Sequence, residues 1–230
     1  MKNQYYNYFI FLIIVFLIYY FILSEYITLI NSNYFKHNYI EYPNFLSTQK
    51  CKQINNSINN IDIKDNPLNE YFNNSKGFVL KFNSKNAYKT LNNNKDTDFL
   101  YNIYKQLKKS YANNFIMNIL IIDSTNNINE RSIEYHYDMT IDIEYKFLGI
   151  NFDHVPECVS VLYINTPQNF NGGELKLFKY NYFNVGNIKP QIGKLVEFNG
   201  KLLHGVNNIQ NLDNNNNKRI SIVLEQYCIR

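Results

Sequence analysis

The sequence predicts a mainly β protein: a jelly roll with N-terminal helices packed against one sheet and one transmembrane helix before it. Across residues 115–230, eight short apolar segments are separated by Asn, Gly, Asp and Pro, a spacing typical of an all-β sandwich or barrel. Eight strands in two sheets form a jelly roll. Two helical patterns precede these strands, and helices in that position support one face of a sheet. The candidate strands are FIMNILIID, RSIEYHYD, ECVSVLYIN, GELKLFKY, FNVGNI, KLVEF, LLHGV and RISIVLEQY.

An apolar run near the N-terminus predicts a membrane anchor over residues 1–30. The segment from Tyr8 to Leu23 contains no charge, and about 20 apolar residues span a bilayer as a helix. A cleaved signal peptide is the alternative, but no A-x-A-like cleavage site follows. Lys2 precedes the run, so the positive-inside rule places the N-terminus in the cytosol and the folded domain in a lumenal or extracytoplasmic space. Residues 31–38 are polar and form the predicted linker.

The next predicted region, residues 39–114, supplies the supporting helices. Ser47 is a suitable N-cap for a first helix with apolar residues at helical spacing. A second helix is expected from a cap at Asp96 or Thr97 through Asn113. Between the two helices, the apolar run GFVLKF predicts one strand. The predicted buried stripe of the second helix is Phe99, Ile103, Tyr104 and Leu107.

Composition and charge limit the class of protein. The chain has 230 residues, enough for one domain with a buried core and a short N-terminal segment. The formal net charge is +4 and the basic residues are dispersed, so no nucleic-acid partner is expected. Cys51, Cys158 and Cys228 have no Cys-x-x-Cys spacing, which argues against a zinc site or a dense disulfide framework. A single disulfide bond in an oxidising compartment remains an alternative.

Two histidines and one aspartate form a candidate iron site. In the segment IEYHYD, His136 and Asp138 are two residues apart at the end of a predicted strand, so both side chains point to the same face. His204 lies in a second apolar segment, LLHGV. Two histidines with one carboxylate form the facial triad typical of non-haem Fe(II) oxygenases. The other histidines have weaker contexts, because His37 lies in the predicted linker and His154 directly follows an aspartate, from which it diverges in a strand.

The order of the motifs around these residues resembles the catalytic domain of prolyl 4-hydroxylase-like 2-oxoglutarate- and Fe(II)-dependent dioxygenases. The ordered set is His-x-Asp, Gly-Gly-Glu-Leu, His-Gly-Val and Arg-x-Ser, and the resemblance covers residues 39–229. It implies a double-stranded β-helix, which is the jelly roll of that family. It also implies Fe(II) bound by His136, Asp138 and His204, with 2-oxoglutarate and O2 as co-substrates, succinate and CO2 as products, and ascorbate as the reductant.

The same resemblance implies roles for three further residues. In the family, an Arg or Lys at the position of Arg219 holds the distal carboxylate of 2-oxoglutarate, and Ser221 shares its strand face and assists. A guanidinium suits this task because it donates two parallel hydrogen bonds to one carboxylate. Tyr163 matches a strand tyrosine whose hydroxyl helps to bind the same carboxylate, although a core aromatic residue is an equally good interpretation. Collagen-type prolyl 4-hydroxylases typically carry Lys at the position of Arg219, so prolyl specificity does not follow from the resemblance.

The leading functional prediction is therefore a membrane-anchored hydroxylase that acts on a side chain of a peptide or protein. The alternative is a membrane-anchored jelly-roll binding module without turnover. An inactive relative is expected to have lost a metal ligand or the basic residue, and His136, Asp138, His204 and Arg219 are all present. The sequence thus favours the enzyme, and it does not identify the substrate.

Overall fold

The computed structural model describes residues 10–20, 38–65, 75–92, 97–124, 131–139, 145–147, 150–152, 155–211 and 218–229. The chain divides into two compact units, Met1–His37 and Asn38–Arg230. In the first unit, residues 10–20 form a helix, α1, with exposed apolar side chains. Among the helices in the described ranges, none is both long and apolar enough to cross a membrane. Most of the predicted anchor over residues 1–30, and residues 31–37 of the predicted linker, lie outside these ranges, so the anchor stays a prediction.

The second unit is built mainly of antiparallel strands. Its described residues form fifteen strands and three helices. The strands are β1 Tyr39–Tyr42, β2 Lys64–Asp65, β3 Ser75–Asn83, β4 Asn114–Ile122, β5 Ile133–His136, β6 Tyr145–Phe147, β7 Ile150–Phe152, β8 Cys158–Asn165, β9 Phe170–Gly172, β10 Leu175–Lys179, β11 Phe183–Ile188, β12 Leu195–Phe198, β13 Leu203–Val206, β14 Ile209–Asn211 and β15 Arg219–Tyr227. The helices are α2 Thr48–Ile58, α3 Ala87–Leu91 and α4 Asp98–Leu107.

The strands form one large and one small sheet. The large sheet has seven strands in the order β1-β12-β8-β15-β4-β3-β2, and the small sheet has four in the order β11-β10-β13-β5. Two short ribbons, β14-β9 and β6-β7, lie apart from these sheets. All eight strands predicted from the sequence are present: β12, β8, β15 and β4 are neighbours in the large sheet, and the other four make up the small sheet. This arrangement is that of a jelly roll, and the mainly β prediction is confirmed.

The large sheet is buried on both faces, which explains the long apolar runs of its central strands. On β15, Ile220, Ile222 and Leu224 belong to a hydrophobic core shared with the helices. On the opposite face, Val161 of β8 belongs to a second core that includes Leu177 of the small sheet. The helices thus cover one face of the large sheet. The candidate site lies in the space between the two sheets.

The predicted helical region, residues 39–114, contains strands as well as helices. Ser47 caps α2 as predicted, because its Oγ accepts a hydrogen bond from the Lys50 N–H. The run GFVLKF lies in β3, which pairs with β4 along its whole length. The predicted division between residues 114 and 115 therefore falls at the start of β4 and separates most of that strand from its partner β3 in the same sheet.

The second predicted helix is shorter than expected. α4 buries the predicted apolar stripe, but it ends at Leu107 rather than Asn113, and its N-cap residue makes no side-chain capping hydrogen bond. The backbone becomes extended at Lys108, with ψ of 137°. The Lys109 N–H then donates to Gln226 Oε1 of β15 over 2.8 Å. A hydrogen bond to the sheet thus replaces the next hydrogen bond of the helix.

Candidate metal and co-substrate site

The pairing of β5 with β13 brings the three predicted metal ligands together. His136, the last residue of β5, lies opposite His204 of β13, and Asp138 follows two residues beyond His136. The Nε2 atom of His136 is 3.4 Å from Asp138 Oδ1, and Nε2 of His204 is 3.4 Å from Asp138 Oδ2. One ligand atom from each residue lies within 4.8 Å of the others, and all three side chains are buried. This geometry fits one divalent metal ion, and the role of the three residues as ligands stays a prediction.

Backbone carbonyl groups fix the orientation of both imidazole rings. His136 Nδ1 lies 2.8 Å from the Glu134 carbonyl oxygen, and His204 Nδ1 lies 3.0 Å from the Leu202 carbonyl oxygen. A carbonyl oxygen only accepts, so each Nδ1 carries a hydrogen, and each Nε2 of a neutral ring presents a lone pair toward Asp138. Two lone pairs and a carboxylate repel one another unless a proton or a metal ion lies between them. Histidines that bind a metal through one ring nitrogen typically donate such a hydrogen bond from the other ring nitrogen.

The close contacts at this site shift the pKa of Asp138 and the pKa of His204. Burial acts to raise the pKa of Asp138, but the charge of His204 and the hydrogen bonds from both imidazoles outweigh burial, and the pKa lies well below its usual value. Burial acts to lower the pKa of His204, but the Asp138 carboxylate outweighs burial and raises it. In the metal-free protein, Asp138 is therefore ionised, and His204 keeps a proton to a higher pH than an unperturbed histidine.

Metal affinity is expected to rise with pH until the raised pKa of His204 is passed. A metal ion binds neutral imidazole, so it must displace the proton that Asp138 stabilises on His204. Below its pKa, His204 carries this proton, and above its pKa it does not. Asp138 stays ionised over the same range, so the loss of metal affinity at low pH comes from His204. Calorimetric titration with Mn(II) between about pH 6 and pH 8 measures this effect. A constant affinity over the whole range would argue against His204 as a ligand.

A second buried polar cluster lies at the start of β15. Arg219 is 1 % exposed, and its guanidinium carbon lies 5.0 Å from the centroid of the Tyr163 ring. Ser221 lies opposite Tyr163 in the pairing of β15 with β8. Four atoms of this cluster have no hydrogen-bond partner: Arg219 Nε and Nη1, the Tyr163 hydroxyl oxygen and Ser221 Oγ. Burial also raises the pKa of Tyr163, so its hydroxyl is a neutral donor at pH 7.

Unpaired buried donors destabilise a protein, and an anion bound among them would satisfy them. A guanidinium matches the two oxygens of a carboxylate, and the two neighbouring hydroxyls can donate to the same oxygens. The cluster therefore fits a carboxylate group of a ligand. The binding roles of Arg219, Ser221 and Tyr163 stay predictions. The core interpretation of Tyr163 also fits, because its ring is fully buried in the core between the sheets.

One cleft joins the metal-ligand cluster to the arginine cluster. Its volume is about 480 Å³, which includes space that opens to solvent. It is lined by all three predicted metal ligands and by Arg219 and Ser221. The cleft therefore presents a set of candidate metal ligands and a carboxylate-binding cluster to the same ligand. The apolar part of the lining includes Leu120, Ile133, Val159, Val161, Leu175 and Phe198.

Comparison with solved structures finds hydroxylases and oxygenases that have a similar fold. No family model and no curated protein matches the sequence. An oxidoreductase of the 2OG-Fe(II) oxygenase family from Burkholderia pseudomallei superposes with a TM-score of 0.54 at 12% identity, covering 84% of this chain and 86% of that chain. A prolyl-4-hydroxylase from Pseudomonas putida gives 0.51 at 16% identity, covering 85% and 95%. The dioxygenase for auxin oxidation 1 from Arabidopsis thaliana, in complex with 2-oxoglutarate, gives 0.51 at 11% identity, covering 84% of each chain.

These similarities establish the fold. The described part of the second unit has the double-stranded β-helix fold of prolyl 4-hydroxylase-like 2-oxoglutarate- and Fe(II)-dependent dioxygenases. The fold implied by the sequence motifs is therefore confirmed.

Sequence reasoning missed two polar residues of the cleft, Asn118 of β4 and Glu225 of β15. Arg219, Ser221 and Glu225 are separated by even numbers of residues. Strand alternation therefore directs the Glu225 side chain to the same face as the other two. Asn118 interrupts the apolar run of β4 at a position where a buried amide needs a partner. Each residue thus had a signal in the sequence, but only strand pairing places both in the cleft.

The close approach of β13 to β5 requires glycine beside His204. A Cβ added at Gly205 would lie 2.6 Å from Tyr135 Cδ1 and 2.8 Å from a carbonyl oxygen of β5.

We expect Gly205→Ala to push β13 away from β5 and to destabilise the fold by about 1 to 3 kcal/mol. We also expect weaker Mn(II) binding, because His204 moves away from the other ligands. Thermal unfolding and metal titration measure the two effects. Gly186→Ala is the matched control, since a Cβ there meets only side-chain atoms at 3.1 Å; equal losses in both variants would count against this explanation.

Proposed function

We propose that the protein is a 2-oxoglutarate- and Fe(II)-dependent dioxygenase that hydroxylates a side chain of a peptide or protein, consumes O2 and releases succinate and CO2. The observation that carries this proposal is a single cleft that contains three convergent ligand side chains and a buried arginine with unpaired donors. Structural neighbours that are 2OG-Fe(II) oxygenases support the same chemistry.

Each group of residues has a separate task in the proposed reaction. His136, Asp138 and His204 hold Fe(II), and a donor set of this kind leaves coordination positions for other ligands. When bound, iron and 2-oxoglutarate supply the oxidising chemistry that the side chains lack. Arg219 receives the distal carboxylate of 2-oxoglutarate, with help from the hydroxyls of Tyr163 and Ser221. These contacts orient the co-substrate so that its keto-acid end faces the metal ligands. The apolar walls of the cleft limit the access of water.

Release of succinate tests the proposal. Purified protein with 2-oxoglutarate, O2, Fe(II) and ascorbate is expected to form succinate, and protein treated with a chelator is expected to form none until Fe(II) is restored. Ascorbate is proposed as the reductant on the basis of family resemblance, and its omission is expected to shorten the period of activity. Binding of Fe(II) and 2-oxoglutarate without succinate formation, even with peptides added, would instead favour a binding module without turnover.

Exposed aromatic side chains at one turn support a peptide or protein substrate. Tyr182, in the turn between β10 and β11, is 85% exposed, and Phe183 at the start of β11 is 66% exposed. The hydroxyl of Tyr137, which separates two of the predicted metal ligands in the sequence, donates to Asn181 Oδ1 of this turn. Aromatic side chains are enriched where proteins bind proteins. Mass spectrometry of peptides incubated with the protein, searched for the gain of one oxygen atom, is the corresponding test.

The membrane anchor over residues 1–30 is also part of the proposal. Its support is the uncharged sequence from Tyr8 to Leu23 and the exposed apolar side chains of α1. An anchor in the predicted orientation gives the catalytic domain a lumenal or extracytoplasmic location. The protein is expected to stay in the membrane pellet after alkaline carbonate extraction, and its release by carbonate would disprove the anchor.

A further inference from the structure

We infer that the cleft selects a substrate side chain with a positive charge, an ammonium or a guanidinium group, through Glu225 and Asn118. This inference rests on the proposed function and extends it to the class of substrate. Both residues line the same cleft as the predicted metal ligands, and each is only 2 % exposed. A carboxylate in such a position favours a cation over a neutral group, because both charges are removed from water together.

Strand register places Glu225 at the level of the metal site. The ring of His204 contacts Phe198 of β12, with the ring centroids 5.0 Å apart. Phe198 lies opposite Val159 of β8, and Val159 lies opposite Glu225 of β15, so the three residues form one row across the large sheet. Adjacent strands are about 4.8 Å apart, which puts Glu225 about 10 Å from Phe198 along this row. A group bound at Glu225 therefore lies in the cleft at the same level as the His204 ring.

Arg219 lies at the opposite end of the same strand face. The side chains of Arg219, Ser221, Val223 and Glu225 line the cleft, and the Cα atoms of the first and last of them are about 20 Å apart along the strand. The cleft thus has a cation at one end and a carboxylate toward the other.

The acceptor atoms beside Glu225 support a cationic ligand rather than a neutral one. The Tyr227 hydroxyl donates to Glu225 Oε2, which fixes the carboxylate against the wall of the cleft. Asn118 Oδ1 is buried without a hydrogen-bond partner, although most buried polar atoms are paired. Asn118 lies opposite Val223, one diagonal step from Glu225 on the neighbouring strand. A carboxylate and an amide oxygen at this spacing match the several N–H donors of a lysine or arginine side chain.

Binding of matched peptides tests the inference without a need for turnover. Protein loaded with Mn(II) and 2-oxoglutarate is titrated with fluorescent Gly-Ser peptides that carry one central Lys, acetyl-Lys or norleucine, and anisotropy reports binding. We expect the wild-type protein to bind the Lys peptide about 10-fold to 100-fold more tightly than the acetyl-Lys peptide. Glu225→Gln is expected to lose most of this preference and to keep its fold, since Gln still accepts the hydrogen bond from Tyr227. Glu157→Gln is the matched control, because this exposed carboxylate lies outside the cleft lining and its loss leaves the preference intact.

The possible outcomes separate this inference from the proposed function. Equal affinity of the wild-type protein for the Lys and acetyl-Lys peptides, or no binding of either, overturns the inference and requires no variant. An unchanged preference in folded Glu225→Gln overturns it as well. Charge-selective binding without succinate release under any condition refutes the oxygenase and supports the binding inference. Succinate release that all peptides stimulate equally refutes the inference alone.

Discussion

Alanine at His136, Asp138 or His204 is expected to abolish Fe(II)-dependent succinate release and to remove tight metal binding. Each substitution deletes one of three converging ligand atoms, which lie within 4.8 Å of one another. Loss of a residue that only orients a ligand typically costs about 10-fold to 100-fold in metal affinity or activity, and loss of a ligand itself is expected to cost more. The strands β5 and β13 are held by Ile133 and Val206 in the core between the sheets, so the fold is expected to persist. Metal titration, succinate assay and thermal unfolding together measure the result.

Two control substitutions accompany the ligand variants. Asp123 lies just beyond β4, and its side chain is 40% exposed and pairs with Lys218 over 3.1 Å. Such an exposed pair contributes little, so Asp123→Ala is expected to keep both metal affinity and turnover. His154, outside the described residues, is the control histidine. If His154→Ala removed iron binding and His136→Ala did not, the assigned ligand set would be wrong.

Arg219→Ala is expected to retain Fe(II) but to raise the KM for 2-oxoglutarate steeply. Arg219 is fully within the protein and has two nitrogen atoms without partners, so it can donate two hydrogen bonds to one carboxylate. Removing one partner of a buried charge pair costs about 2 to 4 kcal/mol, or roughly 30-fold to 1000-fold in affinity. Succinate release measured against 2-oxoglutarate concentration gives the KM, and metal titration shows that the iron site is intact.

A graded series of variants tests the geometry of this carboxylate contact. Arg219→Lys is expected to recover only part of the loss, because one ammonium cannot reproduce the two parallel hydrogen bonds of a guanidinium. Tyr163→Phe is expected to cost about 1 kcal/mol, the usual contribution of one neutral hydrogen bond. An unchanged KM in folded Arg219→Ala would mean that the co-substrate is held elsewhere or is not 2-oxoglutarate.

Local periodicity is the reason that the strands and the candidate ligands could be predicted from the sequence. His136 at the end of β5 is buried, and the two-residue spacing places Asp138 beside it just after the strand ends. The central strands β4, β8 and β15 have long apolar runs because helices cover one face and the small sheet covers the other. The order of the motifs then predicted that His204, although distant in the sequence, is the third ligand beside His136 and Asp138.

Contacts between distant residues decide the features that local patterns did not reveal. α4 ends at Leu107 because Lys109, shortly beyond it, bonds to Gln226 on β15. β1 forms the edge of the large sheet through its pairing with β12, which no local pattern of four residues specifies. Glu225 shows the same limit, because glutamate side chains are mostly exposed in folded proteins and its burial is not expected from the sequence. Only the pairing of β15 with β8 and β4 places this residue inside the cleft.

The metal ligands and Arg219 are proposed to hold one molecule of 2-oxoglutarate between them, and anaerobic titration calorimetry tests this most directly. 2-Oxoglutarate is titrated into Fe(II)-loaded and metal-free protein, with glutarate as the matched ligand that has both carboxylates but no keto oxygen. We expect one molecule per chain, bound much more tightly with Fe(II) than without, and weakened by both Asp138→Ala and Arg219→Ala. Glutarate is expected to gain little from the metal. Equal affinity for 2-oxoglutarate with and without bound Fe(II) would contradict a shared site.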